Sequence, residues 1–176
     1  NINNQLALSY NIIYRFSQKL SIKTNVSFMN DKIYFLERNN TFFNSENINY
    51  NDQTETVKKP ENKQLELKLT YNTSKVSLLE IETSLQNEKI NSISSIIQND
   101  ISFFNTNLKT KNLFWKNKLQ YTYKISNNKA LQFISNYSNN SAPQELRINP
   151  TTFSFGGNLQ KSEFEKKYLS NKIVLL

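Results

Sequence analysis

From Leu6 to Phe16 apolar and polar residues alternate almost without a break. Leu6, Leu8, Tyr10, Ile12, Tyr14 and Phe16 hold one parity, and Ala7, Ser9, Asn11, Ile13 and Arg15 the other. After Ser17-Gln18-Lys19 the apolar set resumes as Leu20, Ile22, Val26 and Phe28, with Ser21, Lys23, Asn25 and Ser27 between. A period of two belongs to a strand whose side chains point to opposite faces in turn, so each segment predicts a strand with one apolar and one polar face. The unit recurs twice. Leu65, Leu67, Leu69 and Tyr71 run into Asn72-Thr73-Ser74-Lys75, a turn of residues that bond their own backbone, and Val76 and Leu78 follow. Leu113, Trp115, Leu119, Tyr121, Tyr123 and Ile125 run through Ser126–Ala130 into Leu131, Phe133 and Tyr137. The pattern predicts a seventh strand from Tyr168 to Leu176.

Parity also predicts registers, because opposed residues of a hairpin share a face. Phe16 opposite Leu20, Tyr71 opposite Val76 and Ile125 opposite Leu131 all align apolar with apolar. Beyond Leu78 the apolar parity changes to Leu79, Ile81, Thr83 and Leu85. A β-bulge at Leu78–Leu79 restores the facing. It predicts Leu69 opposite Leu79, Leu67 opposite Ile81, Lys68 opposite Glu80 and Glu66 opposite Glu82.

The connections on the other side are long and Asn-rich: Asn39 to Asn62, Asn87 to Asn112 and Asn139 to Lys167. The second holds Ile93, Ile96, Ile97 and Phe103-Phe104, which suggests strand extensions, and the third holds Pro143, Pro150 and Gly156-Gly157. Structureless loops beyond ~12–15 residues are uncommon in compact domains. Here all three fall on one side and the short turns on the other. Strands of about 9–11 residues with aromatic ends, sorted in this way, are the pattern of a transmembrane β-barrel. The expected fold is all-β: an antiparallel up-and-down meander of about seven strands. It forms a partial barrel wall with long loops on one rim and short turns on the other. Residues 1–176 are read as one such domain without a plug.

Composition agrees with a wall more than with a packed globule. Apolar residues make up 37% of the 176, below the usual ~45–50%, while aromatics reach 12% and Asn is the commonest residue. When lipid meets the apolar face no thick core is needed, which suits a mean hydropathy of −0.64. No run approaches the ~18 apolar residues of a membrane helix. The chain begins at Asn1 with no signal sequence, as expected of an excised piece or of an exported protein without its leader. There is no Cys, no His and only two Gly. Thiol chemistry, imidazole bases and Gly-rich phosphate loops are therefore absent, and no enzyme, cofactor or metal is expected.

The net charge of +8 raises a nucleic-acid reading. However, Lys23, Lys68, Lys116, Lys118 and Lys124 are dispersed over polar faces, and Lys58-Lys59 and Lys166-Lys167 are only dipeptides. A solvated face is expected, and no nucleic-acid partner. Trp115, Tyr121 and Tyr123 read as an interfacial girdle before a ligand platform. Pro143, Glu145, Arg147 and Pro150 read as loop-shaping residues before ligand contacts. No residue is assigned to catalysis, and no ligand-binding residue is identified.

The stretch Leu119 to Pro150, with Ala142-Pro143-Gln144-Glu145-Leu146 and Asn149-Pro150 after a Ser-Asn-Asn-Lys turn, resembles the barrel of TonB-dependent receptor-like outer-membrane proteins. That resemblance spans roughly Leu113 to Phe155. It implies a larger barrel around a plug that engages TonB, in a Gram-negative outer membrane. The chain would then be a wall segment of a receptor or transporter that takes up a ligand. Its implied partners are outer-membrane lipid, the parent's plug and its remaining strands. The alternative is a soluble or surface-attached antiparallel β protein of lipocalin or sandwich type, with apolar faces packed inward. A nucleic-acid or glycan-binding module comes third.

Overall fold

The computed structural model describes residues 5–43, 48–99, 101–150 and 159–176. The expected loop residues Asn44 to Asn47 and the Gly156-Gly157 pair lie outside them. Ten strands follow in order: β1 (Leu6–Arg15), β2 (Leu20–Asn30), β3 (Ile33–Phe43), β4 (Ile48–Asn72), β5 (Ser77–Gln98), β6 (Ile101–Ser126), β7 (Lys129–Ser141), β8 (Gln144–Pro150), β9 (Leu159–Ser162) and β10 (Glu165–Leu175). They form one antiparallel sheet ordered β1-β2-β4-β5-β6-β7-β10, with β3 beside β4, and β8 between β6 and β9. The sheet is open, and β1 and β10 are the edges of its main path.

Register reduces the ten strands to seven. Asn30 faces Glu61 at the end of β2, and Ile33 faces Lys58 at the start of β3, so the index sum does not change. β2 and β3 are thus one strand interrupted at Asp31–Lys32. β7 and β8 likewise keep one register on β6 through the Ala142–Pro143 break. β10 and β9 keep one register on β7 and β8. The seven strands expected from the alternation are present, in the expected up-and-down order.

Proline accounts for two of the interruptions. The Asp31 N–H donates to the Pro60 carbonyl at 3.1 Å, and the Lys111 N–H to the Pro143 carbonyl at 3.1 Å. In each pair the return bond needs a proline N–H, which does not exist. Pro60 still fits inside β4. A strand residue's N–H and C=O point to the same neighbour, so opposite Ile90 on the other side no bond is required. Pro60→Thr restores the donor and is expected to stabilise the sheet by about 0.5–1.5 kcal/mol. A raised urea midpoint, with β2 and β3 joined in amide-exchange protection, is the check.

Three register expectations meet three outcomes. Phe16 and Leu20 are paired as expected, the Phe16 N–H lying 3.0 Å from the Leu20 carbonyl. The second hairpin is corrected. Asn72 faces Leu78, Tyr71 faces Leu79, Leu69 faces Ile81 and Lys68 faces Glu82, without a break. There is no bulge at Leu78–Leu79, Tyr71 does not face Val76, and Glu66 faces Ser84 and not Glu82. The reason is a wider turn. Ser77 hydroxyl contacts to Thr73 Oγ1 (2.5 Å) and Ser74 Oγ (2.7 Å) hold Thr73–Ser77 as a five-residue loop. An odd-length loop puts two odd-numbered sets on one face directly.

The third hairpin is also corrected. Leu131 faces Tyr123 and not Ile125, and Lys129 faces Ser126 across the turn Asn127–Asn128. A register shift between Lys124 and Ser126 leaves Ile125 as the bulged residue. A two-residue turn preceded by a bulge replaces the expected five-residue loop.

The long connections are strands over most of their length. β4 has 25 residues, β5 22 and β6 26, well beyond the expected 9–11. Between β5 and β6 the chain turns at Asn99, whose φ of 47° is a left-handed value that Asn tolerates. Asn99 is docked on β4 by two bonds of 2.9 Å with the Asn51 backbone. Pro143 marks the β7–β8 break, and Glu145, Arg147 and Pro150 belong to β8 rather than to a loop.

Candidate functional site

The functional element is the pair of faces that the register builds. On one face lie the even residues of β1 and β2 and, through the ladders, the odd residues of β4, β5, β6, β7 and β10. From the short turns upward, its rows begin Phe16, Leu20, Tyr71, Leu79, Tyr121, Phe133, Ile173, and then Tyr14, Ile22, Leu69, Ile81, Leu119, Ser135, Asn171. Between these turns and Leu6, Phe28, Leu65, Leu85, Leu113, Tyr137 and Leu169, this face holds no charged residue. Its mid-height Asn117 amide oxygen accepts from Thr83 Oγ1 at 2.9 Å, which reduces the cost of a polar group there.

The described residues leave this face uncovered. Among the described residues no hydrophobic side chain is buried, and Leu8 (61%), Tyr10 (66%) and Ile173 (71%) are wide open. An apolar surface of this extent goes far beyond the few hundred Å² usual on a soluble monomer. Trp115, Tyr121 and Tyr123 all lie on it. Trp115 packs edge-to-face on Tyr137 at 5.5 Å, and Tyr14 on Phe16 at 4.6 Å. The inward-packed sandwich needs a second layer against this face, and the described residues supply none.

The opposite face carries the charges. Lys68 Nζ lies 2.7 Å from Glu82 Oε1, directly opposite, and 2.9 Å from Glu80 on the diagonal. The lysine thus bridges two carboxylates instead of pairing with Glu80 alone. Gln120 donates to Glu80 (3.2 Å), Gln132 to Thr122 (3.1 Å), and Gln64 (2.8 Å) and Asn25 (3.4 Å) to Glu66. These bonds follow one another across the sheet from β2 to β7. A hollow of about 610 Å³ on this face is lined by Lys23, Glu66, Lys68, Glu82, Lys116 and Lys118. Ile13, Met29, Leu78, Phe114, Ile134, Tyr168 and Val174 are the large apolar or aromatic exceptions on it.

Above the apolar border, ions pair locally. Glu61 lies 2.9 Å from Lys63, and the hydrogen bond from that ammonium holds its carboxyl below the usual range. Arg147 does the same for Glu145 at 2.8 Å. Glu165 at 3.0 Å raises the Lys167 ammonium. Among the described residues no group of three or more Asp or Glu is placed to hold a metal ion. The geometry offers two contrasting surfaces rather than a reactive centre.

Sequence parity located both faces. It missed the Lys68–Glu82 pairing, because that depends on the turn length at Thr73–Ser77. Ile93, Ile96 and Ile97 signalled the continuation of β5 and β6 above the apolar border, but that of β4 and the strands β8 and β9 was missed, because polar residues there weaken the strand signal.

No protein-family model matches the chain, and no curated protein matches it. Solved structures do. The ferric yersiniabactin uptake receptor FyuA from Yersinia pestis superposes with a TM-score of 0.55 at 7% identity, over 98% of this chain and 24% of that one. CarO from Acinetobacter baumannii gives a TM-score of 0.26 at 5% identity, over 97% of this chain and 93% of that one, too low to support an argument. This chain spans about a quarter of the length of FyuA, and at such identity the likeness is one of fold. The protein is an open antiparallel meander of long strands that resembles part of a receptor barrel wall.

Proposed function

We propose that the chain is a wall segment of an outer-membrane receptor or transporter barrel, part of a TonB-dependent uptake system and without enzymatic activity. The apolar face meets outer-membrane lipid. The polar face meets a plug or a hydrated lumen, and the unpaired edges of β1 and β10 join the remaining strands of the parent barrel. The FyuA likeness supports this reading at the level of fold.

The observation that carries it is the slope of the upper apolar border. Leu169, the upper apolar residue of β10, shares a ladder row with Tyr137, Asn117, Thr83, Leu67, Thr24 and finally Ile12. On β1, however, the apolar set continues six residues higher, to Leu6. Six residues at ~3.4 Å rise about 20 Å, across six strand spacings of ~4.8 Å, or about 29 Å. From end to end the border therefore falls at about 35° to the rows, with Leu113 two residues above that line and Leu65 two below it. Strands of membrane barrels tilt by ≈ 35–45°, and at that tilt the sloping border becomes level in a bilayer. A soluble sheet has no cause to tilt its apolar border to this angle.

Fractionation and protease access test the proposal. The chain, in its parent protein, is expected in the outer membrane and to need detergent for extraction. Each short turn carries or adjoins a lysine: Lys19, Lys75 and Lys129. All three are expected to escape trypsin added to intact cells and to be cut once the outer membrane is permeabilised. Cutting at Lys129 from outside reverses the topology. A monomer that stays soluble in buffer without detergent rules out the wall.

A further inference from the structure

The upper border of the apolar face is marked by lysines. On that face Leu65 is followed by Lys63, Leu113 by Lys111 and Leu169 by Lys167, while Leu85 is followed by Asn87 and then Lys89. Lys63 and Lys167 are neutralised by Glu61 and Glu165. Among the described residues Lys89 and Lys111 have no carboxylate within 4.0 Å, yet they face each other directly across β5 and β6. Lys111 sends its N–H to Pro143, away from β5, so its pairing with Lys89 is of the non-hydrogen-bonded kind, in which side chains stand closest. Like charges so opposed repel.

The next row up repeats the sign, with Lys59 and Lys109 on either side of Asn91. Neither of these lysines forms an ion pair among the described residues. Glu61 and Glu145 stand opposite Lys89 and Lys109 respectively, but their carboxylates are held by Lys63 and Arg147. The four lysines line one groove of about 730 Å³ on the apolar side of the sheet, just above the border. The groove also holds Lys161, Glu61, Glu145 and Glu163, so five ammonium groups face three carboxylates there, and this excess of positive charge, at the height where acyl chains give way to headgroups, forms an anion site.

We propose that Lys59, Lys89, Lys109 and Lys111 bind the phosphate of a membrane-lipid headgroup in the leaflet bordering the upper edge of the apolar face. This inference rests on the wall reading above. Phosphate supplies several acceptor oxygens, so one headgroup serves both members of the Lys89–Lys111 pair and a lysine of the row above. The repulsion in the free protein then becomes selectivity for an anionic lipid.

The test uses the full parent protein in phosphatidylcholine nanodiscs doped with phosphatidylglycerol, with bound lipid counted by native mass spectrometry. Lys89→Gln with Lys111→Gln is expected to weaken phosphatidylglycerol retention at least tenfold. Lys116→Gln with Lys118→Gln, the same charge change on the polar face, leaves retention unaltered. The double change at the border also has a signature that simple misfolding lacks. In phosphate-free detergent it raises the melting temperature by relieving the repulsion, and in doped nanodiscs it lowers it. Unchanged retention overturns the proposal, as does equal competition by inorganic phosphate at the concentration of the lipid, which marks a free-phosphate site. Spin labels at Leu67 and Leu119 keep the two readings apart. Acyl contact there with unchanged retention removes the headgroup site alone, and absence of acyl contact removes the wall reading and the site together.

Discussion

Arginine in place of Leu67 is expected to destabilise the assembled wall by about 2–4 kcal/mol, whereas arginine in place of Gln120 changes stability by no more than about 0.5 kcal/mol. The two positions differ in face and little in height. Leu67 lies between Leu69 and Leu65 on the charge-free face, with Thr24 and Thr83 beside it in the ladder. A guanidinium there has no carboxylate in reach and must either enter lipid or drag water to it. Gln120 faces Glu80 on the polar face, where a cation gains a partner. Ile12, Ile22 and Leu119 are expected to behave as Leu67 does, and Asn11, Lys23 and Lys68 sites to tolerate arginine as Gln120 does. The penalty falls to about 0–1 kcal/mol at Leu85, next to the border. Urea unfolding in vesicles, followed by heat-modifiable mobility, measures it. Equal penalties at Leu67 and Leu85 contradict a depth-graded medium.

The two faces were legible because a period of two survives any register error of an even number of residues. Shifting a strand pair by two residues keeps every side chain on its face. That is why Ile125–Leu131 was off by two residues and still placed Tyr121, Tyr123 and Phe133 correctly. The second hairpin needed more than parity. Its five-residue turn depends on hydroxyl contacts among Thr73, Ser74 and Ser77, and such contacts leave no periodic trace. An unneeded bulge was the result. The strands above the border were legible only in part: Ile93, Ile96 and Ile97 suggested the extensions of β5 and β6, but not their pairing or the length of β4. Between Ser92 and Ser95, or Asn105 and Asn107, neither face is apolar enough to show alternation, and pairing there rests on backbone bonds that any sequence can make. The polar-face bridge from Lys68 to Glu82 and the opposed Lys89 and Lys111 both follow from register, so neither was visible until the turn lengths were known.

The slope of the border yields a depth relation that no other arrangement of these strands predicts. Leu169 and Ile12 share a ladder row, so a flat or soluble sheet puts them at equal height. In a wall tilted by about 35°, Leu6 is level with Leu169, and Ile12 lies about 17 Å deeper, from six residues at ~3.4 Å along the tilted strand. Spin labels at Leu6, Ile12 and Leu169, quenched by lipids carrying nitroxide or bromine at known carbons, read those depths directly. Shallow quenching is expected at both Leu6 and Leu169, and quenching a little past the midplane, on the side of the short turns, at Ile12. Equal depth for Ile12 and Leu169 means that the strands run along the membrane normal, and an untilted wall cannot close into a barrel. No quenching at any of the three places the apolar face against protein. The sign of the difference is also fixed, because the short turns lie below. Ile12 deeper than Leu6 from the side of Asn99 is the orientation in which the long strands and the lysine rim face outward.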